Sequence, residues 1–307
     1  MKTVVYQSFR TEHVPGWIDA CMATVRAWAE KQGFAYRFWD DRFFDLVPAE
    51  LRLRASTHVC LLTDYARLVA ARQLLAEGWE RAIWVDADAV VFDPERFTIN
   101  QTSGYAFCRE VWHDLTLFNR PFFKLAVNNA VSVFCRDQQI IAPYLKEAAA
   151  ILAGDQPLSA ISIGTEWLYA RRQREAFPLL TTAGILGPEM MYRYLHDDGR
   201  FLRPYLRHQT SPVYAVNLCN SKLGTTYKFS GTRSPWALDN DILCKLIARL
   251  CTDRGASLNR HFQKAPPPPA NEFTRPLSRI QACVRHLQLL TATKLSLRLG
   301  KSSVIHN

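Results

Sequence analysis

Apolar and polar positions switch between a strand period and a helix period along the first third of the chain. Thr3-Val4-Val5-Tyr6 is a short β-rich run, the pattern of a first core strand. Pro15 suits a first helical turn; after it Ile18, Cys21, Met22, Val25, Trp28 and Ala29 recur at helical spacing until Gly33 ends the run. Residues 34–39 predict a second strand, closing on Asp40-Asp41. Thr63, as N-cap, opens a helix through Leu68, Val69 and Leu75 to Gly78, which feeds the strand Ala82-Ile83-Trp84-Val85. Strands alternating with helices in this way predict an α/β fold with a mostly parallel central sheet and flanking crossover helices. Further along, 130–135 reads as a buried strand, 138–152 as a helix ended by Gly154, and 213–218 as another strand. No internal repeat is present, and the four prolines at 266–269 form a stiff spacer between a body, 1–264, and a tail, 265–307.

Composition narrows the class. At 307 residues, 48% hydrophobic and 21% charged, the chain is globular and buries a core without staples. Eight scattered cysteines without a C-x-x-C pair predict reduced, mostly buried thiols and no zinc site. The opening MKTVVYQSF runs at once into Arg10, Glu12 and His13, unlike a signal peptide, and no apolar stretch is long enough for a membrane span. A cytoplasmic location is therefore expected.

The net charge of +10 points to anionic partners. No Lys/Arg block or nucleic-acid motif supports DNA or RNA, and Arg171-Arg172-Gln173-Arg174 suits a solvated helix face. Six basic residues and one acid in 265–307 give the tail half of the surplus. Ile280, Val284, Leu287 and Leu295 share a helical stripe there, although Leu289, Leu290 and Leu297 lie off it. Such a helix suits an anionic membrane, making the protein peripheral on its inner face, or a docking surface on the body or a second subunit.

Chemistry concentrates in Trp84-Val85-Asp86-Ala87-Asp88. Two carboxylates just past an apolar strand stand where open α/β sheets bind ligands, and hard oxygens there suit Mg²⁺ or Mn²⁺ bridging a diphosphate. The alternative is a solvated Asp-x-Asp turn. Asp64 and Arg67 share a face of the preceding helix, offering a carboxylate for sugar hydroxyls and a guanidinium for anions; alone they would be a local ion pair.

Asp64-x-x-Arg67 followed by Ile83-Trp84-Val85-Asp86-Ala87-Asp88 resembles the DXD sugar-binding glycosyltransferases, a group that includes fungal initiating mannosyltransferases, bacterial capsule glycosyltransferases and large glucosylating toxins. Val5-Tyr6-Gln7-Ser8, the Pro15–Trp17 entry, Trp39-Asp40-Asp41, Asn128-Asn129-Ala130 and Gly164-Thr165-Glu166 are similar to that family as well, so the likeness spans roughly 1–240. The resemblance implies a Rossmann-like nucleotide-sugar transferase fold of the GT-A type, and metal-dependent transfer of a hexose from UDP- or GDP-sugar to a glycan or lipid-linked acceptor, with retention. It places Asp88 on the metal, Asp86 on ribose or a metal-bound water, Asp64 and Arg67 on the donor sugar, and Tyr6 and Gln7 near the base. Where the family often has a late His, this chain has Asn217, Asn220 and Ser221 as further oxygen donors, with Lys222 for the diphosphate; His208 is expected to be structural. Glu166 is the acid/base or acceptor-contact candidate, against a plain helix N-terminal carboxylate. Trp112-His113-Asp114 is either a packing loop or a substrate-positioning one. The competing readings are a nucleotidyltransferase or nucleotide-sugar hydrolase, and a non-catalytic sugar- or membrane-binding protein.

Overall fold

The computed structural model describes residues 1–115, 121–229 and 234–262. The proline spacer and the basic tail lie outside the described residues; those described fall within one compact unit, Met1–Pro267.

In chain order the elements are β1 (Thr3–Ser8), α1 (Gly16–Lys31), β2 (Ala35–Trp39), the 3-10 turn Asp41–Leu46, α2 (Ala49–Arg54), α3 (Val59–Ala76), β3 (Arg81–Val85), β4 (Ala89–Val91), β5 (Tyr105–Leu115) and β6 (Pro121–Cys135). There follow α4 (Ile141–Ala153), α5 (Thr165–Arg172), β7 (Leu179–Leu180), β8 (Ala183–Ile185), α6 (Pro188–Leu195), α7 (Gly199–Gln209), β9 (Ala215–Asn217), the 3-10 turn Asn220–Lys222, β10 (Thr226–Tyr227), β11 (Trp236–Ala237), α8 (Asn240–Thr252) and α9 (Ala256–Asn259).

The main sheet has six strands in the order β2-β1-β3-β6-β5-β7. β1 runs parallel to both β2 and β3, and β6 alone is reversed, so the sheet is mostly parallel as the alternating pattern predicts. Period-two alternation divides the strands between two apolar layers. Val4, Tyr6, Ala82 and Trp84 pack with α3 and α4 on one face; Val5, Ile83 and Val85 pack with α1 and the small sheet β4-β9-β8 on the other. Every apolar residue expected on the buried face of α1 is buried, together with Trp17. Gly33 and Gly78 do close their helices, at φ +68° and +98°, where a side chain would be strained.

Two expectations shift. α3 begins at Val59, not at Thr63, whose hydroxyl donates instead to the Val59 carbonyl at 3.0 Å. Asp64 therefore lies in the second turn rather than at the helix start. The strand expected at 130–135 is the end of β6, which pairs antiparallel with β5 as a long hairpin, so Trp112-His113 is strand rather than loop. The cause is a bulge that masks the alternation. Phe107 pairs with Ser132 but Cys108 with Asn128, so Asn129, Ala130 and Val131 are looped out of register. The described cysteines are all free, but against expectation only Cys21, Cys108 and Cys135 are buried, while Cys60 and Cys244 are exposed.

Candidate active site

β3 ends at Val85, and Asp86-Ala87-Asp88 turns the chain out of the main sheet into β4; the Ala89 N–H closes the turn on the Asp86 carbonyl at 3.0 Å. β4 then pairs with β9, with Ala89 opposite Asn217, and this register brings Asn217 onto both carboxylates. Its Nδ2 donates to Asp88 Oδ1 at 2.6 Å and to Asp86 Oδ2 at 3.3 Å, while its Oδ1 accepts from the Cys219 N–H at 2.8 Å. Cys219 takes left-handed backbone (φ 52°), and the next N–H, of Asn220, donates to Asp88 Oδ2 at 2.7 Å.

Asp86 is held from the other side. Its Oδ1 accepts from Trp84 Nε1 at 2.6 Å and pairs with Arg67 Nη2 at 3.3 Å. The same Nη2 lies 2.9 Å from Asp64 Oδ1, and Nη1 donates to the Asn129 carbonyl at 2.8 Å. Asn129, thrown inward by the bulge, donates from its amide to Asp64 Oδ1 at 2.9 Å. The guanidinium also sits over the Trp84 ring, 4.8 Å from its centroid. Asp64 and Arg67 are only 6% and 5% exposed, whereas the Asp86 side chain is 22% exposed. The open edge of the constellation is therefore Asp86 and Asp88.

Burial raises all three carboxyls above the usual range. Asp64 is pushed up to about 6 by burial, with Arg67 pulling it down and Asp86 adding repulsion. Asp86 and Asp88 are both raised by burial, Asp88 further by the Asp86 charge beside it. Arg67 pairs with Asp64 and Asp86, and Asn217 bridges Asp86 to Asp88, so acidic groups outnumber the one guanidinium here, a surplus that a divalent cation fits. No three of His, Cys, Asp or Glu converge on a metal position among the described residues. Asp86 and Asp88, the partly exposed carboxyls of the group, are the residues that could hold a cation.

No protein-family model and no curated protein matches this sequence. Among solved structures, the chain is similar to the crystal structure of a glycosyltransferase involved in the glycosylation of the major capsid of PBCV-1, at TM-score 0.40 and 11% identity, over 72% of this chain and 94% of that one. It is also similar to A197 from STIV, at TM-score 0.27 and 10% identity, over 56% and 78% of the two chains.

The remaining expected residues fall in different places. Tyr6 and Gln7 are fully buried, because β1 is a central strand covered on both faces. The Tyr6 hydroxyl donates to the Arg67 carbonyl at 2.8 Å, and Gln7 joins the Asp86 carbonyl to the Tyr36 hydroxyl. Both brace the site from beneath. The amide oxygen of Asn217, expected as a metal ligand, accepts from the Cys219 N–H, while its nitrogen orients both carboxylates. Asn220 reaches Asp88 through its backbone N–H, and Ser221 and Lys222 stand exposed on the same turn. Glu166 is exposed in the first turn of α5, accepting from Ser159 Oγ at 3.2 Å. His208 packs on Phe123, with ring centroids 5.4 Å apart.

Three contributors were not assigned a role from sequence: Trp84, Asn129 and Gly164. Trp84 had a signal, since it precedes Asp86 by two and so shares its side of the strand. Asn129 and Gly164 meet Asp64 only through tertiary packing, which no local pattern encodes.

Proposed function

We propose that this protein is a metal-dependent glycosyltransferase, moving a hexose from a UDP- or GDP-sugar to a glycan or lipid-linked acceptor with retention. The observation that carries the reading is the Asp64–Arg67–Asp86 ion-pair chain set against Asp88 at the carboxyl ends of parallel strands. A Mn²⁺ or Mg²⁺ held by Asp86 and Asp88 would supply Lewis-acid neutralisation of the departing diphosphate. The chain's own groups prepare that position. Arg67 and Trp84 favour the ionised form of Asp86 and fix its Oδ1, while Asn217 and the Asn220 N–H fix Asp88. Asp64 anchors Arg67 and Asn129, and through them the edge of the donor-sugar position. Lys222, exposed beside Asn220, supplies a cation for the diphosphate, and Glu166 is available to an acceptor hydroxyl as base.

Mn²⁺ with UDP or GDP should raise the melting temperature, chelation should remove the rise, and Asp88→Ala should abolish it. UDP-hexoses or GDP-hexoses should release their nucleotide slowly in the presence of Mn²⁺. No thermal shift with any nucleotide–metal pair, together with no nucleotide release, would overturn the proposal.

A further inference from the structure

A second concave feature lies one residue from the carboxylate site. The Leu186 N–H donates to the Asn217 carbonyl at 3.0 Å, and the next residue, Gly187, lines a small cavity of about 150 Å³ with Trp112, His113, Glu189, Tyr227 and Phe229. The Trp112 ring packs directly on the Gly187 backbone, where an added Cβ would stand 3.2 Å from it. Tyr227 and Phe229 are stacked, with centroids 5.6 Å apart and planes at 11°, and Tyr192 and Trp236 back Phe229 at 5.4 and 5.7 Å. The aromatic wall follows directly on the Asn220–Lys222 turn that holds Asp88, so chain connectivity joins the cavity to the carboxylates on two sides.

Its polar equipment is sparse and fixed. His113 is wedged between Phe123 and Phe201 at 5.3 and 5.4 Å, and its Nδ1 pairs with Glu189 Oε2 at 2.7 Å. Its Nε2 has no hydrogen-bond partner among the described residues, although the side chain is only 4% exposed. A buried ring nitrogen left unpaired costs free energy that a ligand hydroxyl recovers. Glu189 is fixed too: against the cost of burial, His113 and Arg193 hold its carboxyl below the usual range.

Aromatic faces carry negative charge density that attracts the C–H face of a pyranose, and a few fixed polar groups read its hydroxyls. We infer that the cavity walled by Trp112, His113, Tyr227 and Phe229 is the subsite for the acceptor sugar ring. The inference rests on the glycosyltransferase reading and adds to it the chemical class of the acceptor's reactive end: an uncharged pyranose.

Saturation-transfer NMR on the full chain tests it, using methyl α- and β-glycosides of glucose, galactose, mannose and N-acetylglucosamine. UDP·Mn²⁺ and GDP·Mn²⁺ binding is measured on the same proteins by calorimetry. At least one glycoside should bind, and Tyr227→Ala and His113→Gln should each weaken it tenfold or more while leaving nucleotide binding intact. Trp112 is left in place because its packing on Gly187 would confuse folding with binding. Absence of binding by every glycoside, or binding at wild-type strength in both variants, would overturn the inference. So would an equal loss of nucleotide affinity in Tyr227→Ala, which would make the aromatic wall a base platform. If a glycoside binds and Tyr227→Ala abolishes it while no nucleotide–metal pair binds the wild type, the subsite stands and the donor reading falls.

Discussion

Gly164 shows how closely the site is built at the level of single atoms. A Cβ there would stand 3.2 Å from the Asp64 Cγ, press on Oδ2, and come within 3.4 Å of the Asn129 amide. Neither partner has room to yield, since Asp64 Oδ1 is already shared between Arg67 and Asn129. Gly164→Ala should therefore destabilise the protein by about 1–3 kcal/mol, the usual range for overpacking. It should also reduce the nucleotide–Mn²⁺ thermal shift, because displacing Asp64 moves Arg67 and then Asp86. Urea unfolding read beside the thermal shift checks both, and a variant of wild-type stability would show that the contact relaxes without cost.

At the scale of elements, what matters is how α5 is held, because Gly164 is its N-cap. Trp167 stacks on Tyr144 of α4, with centroids 3.6 Å apart and planes at 9°, and its Nε1 donates to Glu147. The Tyr144 hydroxyl donates to the Ile163 carbonyl at 2.7 Å, immediately before Gly164. Trp167→Ala should cost about 3–5 kcal/mol. It should also speed amide exchange at Gly164 and Leu168, whose N–H groups bond to Ile161 and to Gly164. Amides of β3 should be unaffected; equal acceleration throughout would mean global destabilisation and no local coupling. Elements of this kind mark the limit of what the sequence discloses. β1, α1, β3 and the Asp64, Arg67, Asp86 and Asp88 set were legible because strand and helix periods are local and the acidic pair closes a strand. β5 was not, because the bulge opposite Phe107 and Cys108 breaks the alternation of its partner. Nor was the aromatic-walled cavity, whose lining comes from β5, the start of α6, β10 and Phe229 just beyond it, and meets only in the folded chain.

For the whole molecule, charge acts at a distance and burial acts through pH. The tail holds half of the +10 surplus, and no helix among the described residues is long and apolar enough to cross a membrane. If residues 265–307 bind an anionic surface, deleting them should abolish sedimentation with phosphatidylserine vesicles at low salt; unchanged sedimentation would remove that role.

The acidic groups inside the body act in the opposite sense to ordinary surface carboxylates. Burial pushes Glu110 up to about 7, against the pull of Asn128 and Lys124, and Asp64 up to about 6. In the unfolded chain these groups ionise near 4. Between about pH 4 and 7 the unfolded state therefore sheds protons that the folded state retains, so stability is greatest below pH 4 as far as these groups are concerned, and falls as pH rises to about 7. Most proteins lose stability toward acid through depressed carboxylates, and these groups work against that trend. Glu110→Gln removes one of them without emptying its space. It should match the wild type near pH 4.5 and exceed it by on the order of 3 kcal/mol at pH 8. Urea unfolding at a series of pH values measures this directly. A difference that stays constant across the series would mean that Glu110 titrates alike in the folded and unfolded chains, the pull of Asn128 and Lys124 offsetting its burial.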